Sequence, residues 1–219
     1  LERTIQATKD YPGEIEWILI ENGECQENYE FFRDLPLERK VVLQQRNYGI
    51  NQALNQGWAL SRGEFCLIHE NDWVCNNIQP EFLSRVKGIF RKREDVGVVQ
   101  LRAVYDPNQN WGLGKPLYSP WSCSAEKLNE ADVYVESDQL EDGHTFFVSN
   151  HPNGFNNNPV CIRKSLYECC GPYPEAMMGC DPRHGETEYQ GRVAETGMTT
   201  AHIGLELYYH KGLTTTRLT

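Results

Sequence analysis

Glu70 and Asp72 are two carboxylates one residue apart, and they follow the apolar run Phe65-Cys66-Leu67-Ile68 almost directly. An apolar strand that delivers paired carboxylates at its end offers hard oxygen ligands. Mg²⁺ and Mn²⁺ take such ligands and usually share them with substrate phosphates. An acidic turn leading to the helix that starts near Pro80 reads the same way, and the pair by itself leaves both readings open. A second polar cluster, Glu21-Asn22-Gly23, closes the apolar stretch Glu14 to Ile20. Ligands of open α/β sheets bind beyond the carboxyl ends of the strands, so both clusters are candidate sites.

Those side chains need strands and helices to hold them. The pattern predicts helix over 1–9, strand over 14–20, helix over 26–35 and strand over 40–44. It continues with helix 51–61, strand 65–69, helix 80–93 and strand 96–104. Apolar positions fall at helical spacing in 80–93, with Phe82, Val86, Ile89 and Phe90 inward. This alternation predicts an α/β domain with a mixed, mostly parallel sheet flanked by helices. Beyond Asp106 the chain turns rich in Pro, Gly, Asn and aromatics, and only short strands are predicted, at 133–135, 145–148, 160–162, 199–203 and 205–209. Short helices are predicted over 164–169 and 189–196. We read a single domain over 1–219, with a nucleotide-type half to residue 105 and a substrate-type half over 106–219.

Composition narrows the partners. Net charge is −10, from 21 basic and 31 acidic residues, which disfavours a broad grip on a nucleic-acid backbone. No apolar run reaches the length of a membrane span. The eight cysteines include no C-x-x-C pair, which disfavours a structural zinc site; they are not dense for 219 residues and several lie in apolar stretches, so they are read as reduced thiols of a cytoplasmic protein, or of one at the cytoplasmic face of a membrane.

The residues before the acidic pair sharpen the picture. Asn47-Tyr48-Gly49, then Ala53, Asn55, Gly57, Ala59 and Gly63-Glu64, then the strand and Glu70-Asn71-Asp72, keep a fixed spacing over residues 47–72. This run closely resembles the N-x-G…A-x-N-x-G…A-x-G-E…D-x-D signature of family 2 glycosyltransferases, which have the GT-A fold. Ile20-Glu21-Asn22-Gly23 resembles the end of that family's second strand, and Leu1-Glu2-Arg3-Thr4-Ile5 its first helix. The family's opening strand is expected before Leu1. Glu70 stands where the family has the first Asp of D-x-D, and Glu21 stands where it has a base-contacting Asp. Further on, Asn157 to Lys164 resembles the acceptor-side strand ending in Arg, and Gly171-Pro172-Tyr173-Pro174 the turn after it. Gly185-Glu186-Thr187-Glu188, with Arg192 and Gly197, resembles the segment that carries the catalytic acid, and Tyr208-Tyr209-His210 a C-terminal strand with a metal-binding His.

The resemblance implies a metal-dependent, inverting glycosyltransferase that uses a nucleotide-diphosphate sugar and a saccharide or other hydroxyl acceptor. Asp72, Glu70 and His210 are the implied ligands of Mn²⁺ or Mg²⁺. Glu21, Asn22, Asn47, Gly49, Asn55, Glu70, Asn71 and Asp72 are the implied donor-site residues. Glu186 is the implied base, with Glu188 as its rival; both also fit solvated charges at a helix start. His202 is a second metal candidate, His69 reads as structural, and Trp111, Trp121 and Phe155 are candidate sugar-stacking rings. A non-catalytic carbohydrate-binding domain and a nucleotidyltransferase are the alternatives.

Overall fold

A computed structural model of the chain describes residues 5, 8, 13–23, 25–35, 38–70, 73–75, 81–101, 136–149, 159–175, 182–205 and 207–210. The expected alternation is present. β1 (Trp17–Glu21) leads to α1 (Gln26–Asp34), β2 (Arg39–Leu43), α2 (Ile50–Leu60) and β3 (Phe65–Ile68). Then come β4 (Trp73–Cys75), α3 (Phe82–Lys92) and β5 (Val96–Gln100). The later elements are β6 (Glu136–Gln139), β7 (Thr145–Ser149), β8 (Val160–Arg163), α4 (Lys164–Cys170), α5 (Pro182–Glu195), β9 (Thr199–His202) and β10 (Tyr208–His210).

The sheet is mixed, as expected, but it is not mostly parallel. The principal sheet runs β3-β8-β5-β9-β7-β6, and β5·β9 is its parallel pair. The pairs β3·β8, β5·β8, β7·β9 and β6·β7 are antiparallel. An α-β alternation gives a parallel sheet only where no strand from elsewhere in the chain enters in the opposite direction. Here β8 enters between β3 and β5 from the opposite direction, and β6 and β7 form a hairpin whose turn uses Gly143 at φ 80°. β1 and β2 pair in parallel in a separate ribbon, and β4 pairs with β10.

Element boundaries depart from the pattern in several places. α5 starts at Pro182, seven residues before its expected start at Tyr189, because Gly185 and Gly191 mask the helical signal while Pro is well suited to a first turn. β6 lies at 136–139, while the strand expected over 133–135 falls outside the described residues, and β4 was hidden in the short stretch after the acidic turn. The helix expected over 1–9 is described only at Ile5 and Thr8.

Packing fills both faces of the main sheet. On one face α3 sets Phe82, Val86, Ile89 and Phe90 against Val96, Val99 and Ala201. On the other, Trp58 of α2, Leu166 of α4 and Tyr189 and Val193 of α5 pack on Ile68, Val98, Val160 and Ile162. Gly97 lets the second layer approach, since a Cβ there would lie 2.7 Å from the Leu166 side chain. Arg163 seals the end of α3: it donates to the carbonyls of Phe90 at 2.6 Å and Val96 at 3.2 Å, and its guanidinium lies 4.9 Å from the Phe90 ring centroid. α2 lies against the end of β1, where a Cβ on Gly57 would meet Ile20 at 3.4 Å, and against the N-terminal part of α5 at Gly185.

Candidate functional site

β1 ends at Glu21, and its neighbours are held by backbone and short polar side chains. Asn22 Oδ1 accepts the Tyr48 amide at 3.1 Å, and Asn47 Oδ1 accepts the Gly49 amide at 2.8 Å. The Gln44 amide donates to the Glu21 carbonyl at 3.1 Å. These bonds bring Glu21, Asn22, Asn47 and Gly49 together at the head of α2. Gly49 sits at φ 90°, ψ 158°, a conformation that side-chain-bearing residues rarely adopt, so the turn into α2 requires glycine. Glu21 Oε2 accepts a 2.6 Å hydrogen bond from Asn28 of α1, a partner the sequence did not single out. Arg46 lies over Tyr48 at 4.8 Å, a surface stack.

Glu70 stands two residues beyond the end of β3 and is half-buried. The Trp73 amide donates to the Glu70 carbonyl at 3.3 Å, which ties the start of β4 to the end of β3. In the β4·β10 ladder His210 is the register partner of Trp73, the residue that follows Asp72 in the chain. The backbone therefore brings His210 beside the start of β4, although Trp73 and His210 stand 137 positions apart in the chain. His69 packs its ring on Tyr208 at 5.1 Å, in keeping with a structural role. His202 lies in β9, 3% exposed, and its Nδ1 accepts the Gly204 amide at 2.9 Å. Asn71 and Asp72 fall outside the described residues, as do Trp111, Trp121 and Phe155. Among the described residues no group of three or more His, Cys, Asp and Glu forms a metal cage. The donor types carried by Glu70, Asp72 and His210, two carboxylates and an imidazole, are nonetheless those that suit Mn²⁺.

α2 faces the turn that precedes α5. Asn55 Oδ1 accepts the Tyr173 amide at 2.8 Å while its Nδ2 donates to the Tyr173 carbonyl at 2.9 Å. Both ends of this amide are thus engaged with protein backbone. One helical turn earlier, Asn51 Nδ2 donates to the Pro174 carbonyl at 2.7 Å. Asn51 is 3% exposed, and its Oδ1 meets no hydrogen-bond partner among the described residues. A buried carbonyl oxygen left so costs about 1–3 kcal/mol, which an apolar side chain of the same shape would avoid. Asn51 also touches α5: a Cβ on Gly185 would fall 1.9 Å from Asn51 Nδ2. Trp58 stacks on Tyr167 at 4.3 Å and Tyr173 on Tyr189 at 3.8 Å, so rings from α2, α4, the turn and α5 are packed in pairs.

On α5, Glu188 Oε1 accepts Arg192 Nη2 at 2.6 Å, and Arg192 Nη1 donates to the Pro172 carbonyl at 2.8 Å. Glu188 is therefore part of the bracket that holds the Gly171-Pro172 turn. Glu186 lies in the same helix, one residue after Gly185. Sequence reasoning missed Asn51 and Gly185. Their only signal was a glycine one residue before the acid and an amide one helical turn before Asn55.

A family model described as Glycosyl transferase family 2 matches residues 1–160. Among solved structures, S. aureus TarS 1–349 is similar at a TM-score of 0.64 and 15% identity, over 96% of this chain and 55% of that one. The same protein in complex with UDP gives a TM-score of 0.60 at 15% identity, over 95% of this chain and 54% of that one. The mannosyltransferase PcManGT from Pyrobaculum calidifontis, in complex with GDP-Man and Mn²⁺, gives a TM-score of 0.55 at 18% identity, over 91% of this chain and 49% of that one. The chain spans about half the length of these structures. No curated protein matches it.

Proposed function

The chain belongs to glycosyl transferase family 2, and from that premise we propose that it moves a sugar from a nucleotide-diphosphate donor to a hydroxyl acceptor, with inversion and with help from a divalent cation. One observation carries the proposal: the β4·β10 register pairs His210 with the residue after Asp72, while Glu70 is joined to that same strand start by a backbone hydrogen bond. Glu70, Asp72 and His210 would hold Mn²⁺ or Mg²⁺. The cation, when bound, neutralises charge that builds on the departing diphosphate. The Mn²⁺ and GDP-Man in PcManGT, and the UDP in TarS, support the same ligand classes here.

Residues 1–105 would form the donor half and residues 106–219 the acceptor half. Glu21 and Asn22 border the base of the nucleotide. Asn47 and Gly49 shape the donor pocket at the head of α2, with Asn71 beside the acidic pair. The Asn55 amide is engaged with the Tyr173 backbone, so its part in that pocket is to fix the wall. A hydroxyl is a weak nucleophile near neutral pH, so a carboxylate must take its proton. In this proposal Glu186 accepts it as the acceptor oxygen bonds the anomeric carbon and the bond to the diphosphate oxygen breaks. Holding both partners in line supplies much of the rate. No described helix is long and apolar enough to cross a membrane. We assign the chain to the cytoplasm or the cytoplasmic face of a membrane, a setting that suits the buried thiol of Cys161.

A thermal-shift panel of UDP-, GDP-, dTDP- and CMP-sugars, with and without Mn²⁺, tests the proposal. One nucleotide class raises Tm, the rise depends on Mn²⁺, and Asp72→Ala removes the dependence. A parent that binds no donor, or an Asp72→Ala variant that turns over donor at the parental rate, overturns it.

A further inference from the structure

Asn51 and Asn55 lie four residues apart, so they share one face of α2. Between them they hold two consecutive residues of the turn before α5. Asn55 bonds the Tyr173 backbone in both directions, and Asn51 donates to the Pro174 carbonyl. Asn51 then closes on α5 itself, where only the missing Cβ of Gly185 makes room for its Nδ2. Gly185 directly precedes Glu186 in the chain.

We propose that Asn51 and Asn55 are positioning residues that set Glu186 against the donor bound at the head of α2. This rests on the transfer reading given above. α2 begins at the Asn47-Gly49 turn, so a single rigid helix joins the donor pocket to the amide pair. The amides fix the turn at two successive positions, and the Asn51–Gly185 contact fixes the distance between helices. A stability role alone does not call for an amide at Asn51, because its buried oxygen has no hydrogen-bond partner among the described residues. What the amide adds is a directed bond to Pro174.

Variants at Asn55, Asn51 and Gly185, assayed by nucleoside diphosphate release with UDP- and GDP-sugars, Mn²⁺ and a panel of saccharide acceptors, test the assignment. Asn55→Ala lowers kcat roughly 10- to 100-fold, the scale of a misplacement near 1 Å, while the donor KM stays within about threefold. Hydrogen exchange at the Tyr173 amide rises in the same variant. Asn51→Leu removes the orphaned oxygen but also the bond to the Pro174 carbonyl, so the two effects offset and Tm stays near the parental value, while kcat still falls about 10-fold, an outcome that a packing role does not give. Gly185→Ala lowers kcat in the parent but adds little once Asn51 is replaced by Ala, because the obstruction is gone. Variants that keep parental kcat, or a Tyr173 amide that exchanges as before, overturn this assignment alone. A parent that releases no nucleoside diphosphate overturns the transfer reading and this assignment with it.

Discussion

Replacing Glu188 and Glu186 by glutamine, one at a time, separates a bracket from a base. Glu188 Oε1 lies 2.6 Å from Arg192 Nη2, in an i,i+4 pair whose side chains are 55% and 33% exposed. Such a pair contributes about 0.3–0.5 kcal/mol. Arg192 keeps its bonds to the Pro172 carbonyl at 2.8 Å and the Cys170 carbonyl at 3.3 Å when the charge is removed. Glu188→Gln therefore lowers Tm by only about 1–2 °C, and kcat falls by no more than about threefold, less than 1 kcal/mol of barrier. Glu186→Gln removes the proton acceptor. General-base loss is worth roughly 10²- to 10⁴-fold, or about 3–5 kcal/mol of barrier. The assay is nucleoside diphosphate release at saturating donor and Mn²⁺, with acceptor in excess, run beside a thermal melt. The reverse ranking, with Glu188→Gln inactive and Glu186→Gln near parental, would refute the assignment of roles.

Two further outcomes follow from charge and packing. The Lys40 ammonium, aided by the Arg62 amide and guanidinium, holds the Glu16 carboxyl at about 2, below its usual 4.5. A depressed carboxylate stabilises the fold fully above its unfolded value, so this contribution is intact at neutral pH and fades as pH falls from about 4.5 toward 2. With Lys40 and Arg62 both more than a third exposed, screening leaves about 1 kcal/mol or less. Urea unfolding at pH 7 and at pH 3 reads it as a stability gap that shrinks at pH 3 between parent and Glu16→Gln, and an equal gap at both would refute it. Arg163→Met removes the charged bonds to Phe90 and Val96 and the stack on Phe90. The loss is about 2–4 kcal/mol, read as a drop in Tm of roughly 5–15 °C, whereas a Tm within 2 °C of the parent would show that α3 is capped by other means.

Local sequence was enough to mark the elements of the N-terminal half and the α/β class of the fold. Apolar runs mark β1 and β3, the spacing of Phe82, Val86, Ile89 and Phe90 marks α3, and the N-x-G to E-x-D spacing marks the family. All of these are local, since strand weight, helical period and turn residues act within a few residues of one another. Tertiary structure alone decided which strands became neighbours, and so made the sheet predominantly antiparallel by setting β8 between β3 and β5. It also decided the β4·β10 register that pairs His210 with Trp73, and it turned Asn55 toward the Tyr173 backbone. Asn51 and Pro174 stand 123 positions apart and Asn55 and Tyr173 118 apart. No local propensity encodes contacts at that separation. They form because the core clusters on both faces of the sheet must be closed at once, and one amide then meets one carbonyl.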